Sequence, residues 1–219
     1  MPALRSVLLL GAMAEEVDAY AHRLHDGCWR GVRVRLAVTG IGKPAAAATT
    51  QRLIDVHRPD AVLFTGVAGA LDPQRRIGDI GIGVGAIDAD FDLRPLMPHL
   101  ARGELPFGGG RVFRSDPALV ARALTAPVGG LFPAYIASGS AFLDTPGKAA
   151  FRRDVLPQLA AEIDGVVRTP DLIEMEGSAV LQVAAANAVP ALAIRTVSDA
   201  VDGDAVADFG AFLRQAIDR

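Results

Sequence analysis

Cysteine occurs once in this 219-residue chain, at Cys28, so no internal disulfide can hold the fold together. That usage fits a reducing compartment. An excess of positive charge is missing as well. Against 22 Lys and Arg stand 25 Asp and Glu, a net charge of −3, with a pI near 5.8. Lys and Arg are scattered, in runs no longer than two, which leaves no electrostatic footprint for nucleic acid. No apolar run approaches the roughly 18 residues that a membrane span requires. The histidines His22, His25, His57 and His99 show no metal-ligand spacing; His22 and His25 lie three apart with no third partner. No serine stands in a G-x-S-x-G elbow, which argues against a serine-nucleophile hydrolase.

What is there is apolar and alternating. The chain is 51% hydrophobic, with mean hydropathy +0.30. One α/β domain over 1–219 is expected, able to bury roughly 70% of its unfolded surface without staples. RSVLLLGA (5–12) reads as a buried strand. Arg5 ahead of it and Ala12-Met13-Ala14 after it imitate a signal-peptidase site, but the apolar run is short, so a cytoplasmic protein is expected.

A helix over 14–24 follows, then a strand at 32–38, where apolar and basic residues alternate. Pro44 opens a helix through His57, a position where its missing N–H costs nothing. DAVLFTG (60–66) reads as a strand buried on both faces, and 77–90 as extended and glycine-rich. The Pro- and Gly-rich stretch 91–112 is expected to be a long functional loop. Helices are expected at 116–125 and 147–161, and strands at 134–138, 171–175 and 190–198. A helix follows Met175, and another closes the chain over 208–218. Such βα alternation predicts a mixed, largely parallel sheet flanked by helices in three layers, with ligands at the carboxyl ends of the strands.

Two glycine motifs mislead. GIGK (40–43) is no phosphate loop, because Ala37 stands where the first glycine belongs and Pro44 replaces the magnesium-binding hydroxyl. Gly81, Gly83 and Ala86 match a loose dinucleotide fingerprint, but IDADFD after them opens no helix. The carboxylates at strand ends matter more: Glu15 and Glu16, Glu174 and Glu176, and Asp199. Each alone reads as a helix N-terminal acid favoured by the dipole. Converging on one rim, they form a cluster that splits acid and base roles by environment.

Between them FTGVAGALD (64–72) leaves three readings open: phosphate cradle, ligand floor or plain turn. GAMAEEV (11–17), TGIGKPAAA (39–47), PDAVLFTGVAGALD (59–72), IGDI (77–80), SGSAFL (138–143), IEMEGSAV (173–180) and VPALAIRTVSD (189–199) together resemble the nucleoside phosphorylase/nucleosidase superfamily. Within it the chain is most similar to the 5′-methylthioadenosine/S-adenosylhomocysteine nucleosidases.

The resemblance implies a homodimer that hydrolyses the N-glycosidic bond of an adenine nucleoside, without metal or organic cofactor. It implies Glu16 as the general base toward water and Asp199 as the acid at N7 of adenine. Glu176 would hold the ribose hydroxyls, with Met175 under the sugar and Arg195 and Ser198 near the site. Phe142 and Leu143 would meet the adenine. Met13, Ile41 and Phe209 would line the 5′-alkylthio pocket, and FTGVAGALD becomes the turn beneath the nucleoside.

Opposite roles require Glu16 ionised and Asp199 still carrying its proton, as an apolar setting after LAIRTVS would arrange. Val67 stands where the family commonly has a small hydroxyl residue beside the attacking water, and Ser140 where it often has Asp. Leu93 and Leu96 are expected to close the neighbouring site of a dimer. A phosphorylase instead places arginine and hydroxyl where Phe64 and Val67 stand. A futalosine-type nucleosidase tends to have Asn at the position of Asp199. A non-catalytic binding protein on this scaffold would lack one of Glu16, Glu176 and Asp199.

Overall fold

A computed structural model describes residues 3–216. Strand β1 (Ser6–Gly11) lies parallel between β3 (Val32–Val38) and β4 (Ala61–Phe64). Strand side chains alternate between faces. Leu8 and Leu10 therefore join Val62 and Phe64 in one core, while Val7 and Ala61 join a second core on the opposite side. Helices α2 (Lys43–His57) and α5 (Gly177–Ala186) pack on each other and supply Ala46, Ile54, Val180, Leu181 and Ala184 to the first core. Helix α3 (Pro117–Leu124) covers the second with Leu119, its N-terminus capped by Asp116, which accepts from Ala118 N and Leu119 N. That cap satisfies two donors that a helix start otherwise leaves orphaned.

The remaining long strands are β5 (Val67–Ala70), β6 (Ile80–Asp88), β8 (Leu131–Ser138), β11 (Leu172–Glu174) and β12 (Ala191–Asp199). With the short strands β2 (Cys28–Trp29) and β7 (Phe113–Arg114) they form one ten-stranded sheet, in the order β2-β3-β1-β4-β12-β5-β11-β8-β6-β7. The sheet is mixed, as the alternation of elements predicts. It also closes on itself. The start of β12 runs parallel to β4, its middle pairs antiparallel with β6, and its end runs parallel to β5. Strands β12, β5, β11, β8 and β6 thus make a ring. Near the end of β12 the register slips, so that Val197 pairs with Ala68 and Asp199 with Gly69. The extra residue, Ser198, makes a bulge, and bulges re-aim side chains beside functional sites.

Three expectations change. FTGVAGALD is not a plain turn: after a break at Thr65–Gly66 the chain continues as β5 inside the ring. Its small residues suit that crowded place, since a Cβ on Gly69 would meet both Asp199 and Lys148 at 3.0 Å. The helix expected over 147–161 is α4 (Thr145–Asp154), followed by a single 3-10 turn at Leu156–Leu159, where Pro157 lacks the N–H to continue. After it a small hairpin forms, β9 (Ala161–Ile163) against β10 (Val166–Arg168), outside the main sheet. The first helix, α1 (Glu15–Ala21), ends a turn earlier than expected. Residues 91–112 carry only turns and an isolated Leu105–Gly110 bridge. The closing helix is α6 (Ala205–Ala216), and its expected extension to Asp218 lies outside the described residues.

Candidate active site

A cavity of about 360 Å³ opens where β1, β11 and β12 end and β5 begins, a size ordinary for a small-molecule site. Met13, Glu16, Ile41, Val67, Phe142, Met175, Glu176, Ser198, Asp199 and Phe209 all line it. Leu143 lines an adjoining recess with Phe142, Lys148 and Asp199. Phe142 is half exposed at the mouth, edge-to-face with Phe209 at 5.5 Å between ring centroids. Arg195 is the exception. It lies beneath the cavity, 1% exposed, with its guanidinium over the Phe64 ring and bonded to Glu174 and to the Phe64 and Ile194 carbonyls. It supports the floor and is no wall.

Glu16 sits in the first turn of α1, where an acid suits the helix dipole, but its side chain turns back toward β1. Oε2 accepts from Ala12 N at 2.6 Å and Met13 N at 3.0 Å; Oε1 accepts from Val67 N at 3.1 Å. Backbone donors from two strand ends therefore fix the carboxylate. The glycines leave it room: a Cβ on Gly66 would stand 2.4 Å from Oε1.

Glu174 ends β11 and is buried. It accepts from Ser138 Oγ at 2.5 Å, Arg195 Nη2 at 2.7 Å, and the amides of Glu176 and Gly177. Those amides begin α5, so Glu174 does for this helix what a capping residue does. Glu176 has less support, with only Gly42 N at 2.7 Å. Burial, and then the Glu174 charge, push its carboxyl up to about 7. Two cavity carboxylates with one residue between them thus differ sharply, Glu174 neutralised by arginine and Glu176 without a cation partner among the described residues.

The apolar surroundings expected for Asp199 are not what the fold provides. Its side chain is buried, but Oδ1 accepts from Ser198 Oγ at 2.6 Å and Oδ2 accepts from the Lys148 ammonium. Desolvation alone would favour a neutral carboxyl, whereas an adjacent cation favours the carboxylate. Ser140 is exposed and lines neither the cavity nor the recess; the nearby Asp90 and Asp88 together hold Lys43.

The sequence reading missed Lys148, Glu174 as an anchor, and Gly69. A signal existed for the first. Lysine occurs only twice, at Lys43 and Lys148, and both fall in the first turn of a helix, where the dipole disfavours a cation. A cation kept there needs a carboxylate nearby.

The chain matches the model of the phosphorylase superfamily over residues 6–219. A 5′-methylthioadenosine/S-adenosylhomocysteine nucleosidase of Geobacillus thermodenitrificans (strain NG80-2) is 33% identical over 225 residues, covering 95% of this chain and 89% of the relative. The crystal structure of a nucleosidase of the same name from Colwellia psychrerythraea 34H, in complex with adenine, superposes with a TM-score of 0.84 at 27% identity. That match covers 98% of this chain and 90% of that one. The futalosine hydrolase of Helicobacter pylori strain 26695 shares the fold, with a TM-score of 0.80 at 24% identity over 97% and 92% of the two chains. With its strand ends gathered on one carboxylate-lined cavity, this chain belongs to the 5′-methylthioadenosine/S-adenosylhomocysteine nucleosidase family of the phosphorylase superfamily.

Proposed function

We infer that the protein hydrolyses the N-glycosidic bond of 5′-methylthioadenosine, S-adenosylhomocysteine or both, releasing adenine and the 5′-thio-ribose. The observation that carries this reading is the charge of the cavity wall. Among its described lining residues every ionisable side chain is a carboxylate: Glu16, Glu174, Glu176 and Asp199. Glycosidic cleavage builds positive charge on the sugar, which carboxylates stabilise. Phosphate in the same place would be repelled, and it calls for forked arginine donors. Arg195 is committed to Glu174 below the floor, and Phe64 is in the core.

Glu16, held by three amides, takes a proton from water as its oxygen bonds to the anomeric carbon. The bond to N9 breaks, its electrons move into the purine, and Asp199 delivers a proton to N7. Glu176 accepts from the ribose hydroxyls above Met175, while Phe142, Leu143 and Ser198 border the base. Met13, Ile41 and Phe209 take the 5′-alkylthio group. The same reading assigns the protein to the cytoplasm as a homodimer, in which the exposed Leu96, with the partly buried Leu93 beside it, covers the neighbouring cavity. No described helix is long and apolar enough to cross a membrane. Light scattering that returns a single-chain mass would remove the dimer.

The futalosine reading is weaker because Asp199, not Asn, ends β12. A non-catalytic role is weaker because Glu16, Glu176 and Asp199 share one cavity. The deciding assay follows adenine released from methylthioadenosine and from S-adenosylhomocysteine, with and without phosphate. Release at the same rate in both conditions, with free sugar as product, is expected. A phosphate-dependent rate or a sugar phosphate would replace the reading with phosphorolysis.

A further inference from the structure

Lys148 is 1% exposed, and a lone ammonium buried that deeply is costly unless paired. Helix α4 puts it there. Asp144 caps the helix by accepting from Gly147 N, and Thr145 Oγ1 bonds the Gly203 carbonyl, which ties the first turn to the loop after β12. The lysine stem then crosses Gly69 so closely that a Cβ there would touch both its Cε and Asp199 Oδ2 at 3.0 Å. All three ammonium hydrogens have protein acceptors: Asp199 Oδ2, the Ala200 carbonyl at 3.1 Å and the Asp199 carbonyl at 3.4 Å. None is left for a substrate. Lys148 acts on the reaction through Asp199.

An Asp199 that accepts from both Ser198 and an ammonium is a carboxylate, and a carboxylate has no proton to give to N7. The proton that the leaving base needs is on the lysine. We propose that Lys148 is a positioning residue that stores the acid proton of this site: the pair exchanges between ammonium–carboxylate and amine–carboxylic acid, and the second form serves the purine.

The Lys148 ammonium gives its proton to Asp199 and, as the bond between the anomeric carbon and N9 breaks, Asp199 passes that same proton to N7, which leaves an amine beside a carboxylate. Glu16 holds the proton lost by water. After the products leave, Glu16 releases that proton to solvent and the Lys148 amine regains one, so the cycle consumes only water. Burial of both side chains makes the exchange feasible, because low dielectric narrows the gap between the ionic and neutral forms. The other ionisable groups facing this recess are Glu174, neutralised by Arg195, and, across the cavity, Glu176 and Glu16. On its own helix, Asp144 caps the start.

The inference rests on Asp199 as the group facing N7, and the test separates the two. With proton storage on lysine, the wild-type kcat stays high until the ammonium is lost at alkaline pH. In Lys148→Met only the carboxyl's own proton remains, so the alkaline limb moves down by at least one pH unit. The kcat at pH 8 falls about 100-fold, in the range of general acid catalysis, and recovers toward acid pH, with KM within about threefold. Primary alkylamines restore part of the rate to Lys148→Ala. A uniform loss of kcat with an unmoved limb and no amine rescue would show a merely structural lysine and overturn the relay.

Should the variants not fold, the wild-type enzyme decides. Its two lysines are resolved by labelling their ε positions for NMR, and the Lys148 titration should coincide with the alkaline limb of kcat. A Lys148 that keeps its proton while kcat falls overturns the proposal. Asp199→Asn completes the comparison. An active Asp199→Asn enzyme removes the acid role itself, whereas an inactive one with an unmoved Lys148→Met profile removes only the relay.

Discussion

The amide of Val67 donates to Glu16 Oε1 at 3.1 Å, so a residue with no polar side chain still holds this carboxylate through its backbone. No side-chain hydroxyl at position 67 is needed to hold the Glu16 carboxylate. Val67→Ala should therefore keep kcat within about threefold, since it leaves the amide in place. Glu16→Gln should lower kcat by 100-fold or more, the usual scale for a lost general base, with little change in KM. Steady-state adenine release on both variants checks the contrast.

Glu176 makes stability and binding depend on pH. Its carboxyl, pushed up to about 7 by burial and by Glu174, keeps its proton in the folded state while the unfolded chain has lost it near the ordinary 4.5. Native stability is therefore highest below about pH 4.5 on this account. It falls as pH rises toward 7, by about 3 kcal/mol for a shift of this size. Glu176→Gln does not titrate, so its stability relative to wild type should rise over that window and level off above it. Denaturant melts at pH 5, 6, 7 and 8 read the difference. In turnover, kcat/KM of the wild type should drop below pH 7 as the Glu176 carboxylate, proposed to receive the ribose hydroxyls, is lost.

Much of this was legible from sequence because the signals were local. Apolar runs ending in Gly11, Phe64 and Asp199 announced buried strands, and the acids beside them pointed to the rim that the fold assembles. What escaped depended on closure of the sheet. Nothing local says that Val67–Ala70 is a strand rather than a turn, since its pairing partners, β11 and β12, lie about a hundred residues away or more. The same closure decides that Arg195 points below the floor and that Lys148, from a different helix, reaches Asp199. Long-range pairings of buried charge leave only an indirect trace, such as a lysine where the helix dipole disfavours one.

The buried Glu174–Arg195 pair, at 2.7 Å with both side chains nearly inaccessible, should respond asymmetrically to substitution. Removing one partner leaves an unpaired buried charge, which costs about 3–5 kcal/mol. Arg195→Met should show that loss together with a weakened start of α5, because Glu174 also accepts from Glu176 N and Gly177 N. Joint replacement by Glu174→Gln and Arg195→Met should cost less than the sum of the single changes. Thermal melts of the three variants form the cycle, and strict additivity would mean that the two groups do not interact.

Gly66 tests whether the base works by its position. Its missing side chain is what lets the strand end approach Glu16, since a Cβ there would stand 2.4 Å from Oε1 and 2.9 Å from the carboxyl carbon. A backbone-borne Cβ cannot swing away, so the carboxylate must move and give up the amides of Val67 and Ala12. Gly66→Ala should therefore lose at least 100-fold in kcat, comparable to removing the base, while Glu16 is still present and ionisable. Adenine binding should weaken far less, because neither Glu16 nor Gly66 lines the recess formed by Phe142, Leu143 and Asp199. Calorimetric titration with adenine, alongside turnover, separates these effects. A Gly66→Ala enzyme with near-normal kcat would mean that the three amides holding Glu16 are dispensable for catalysis.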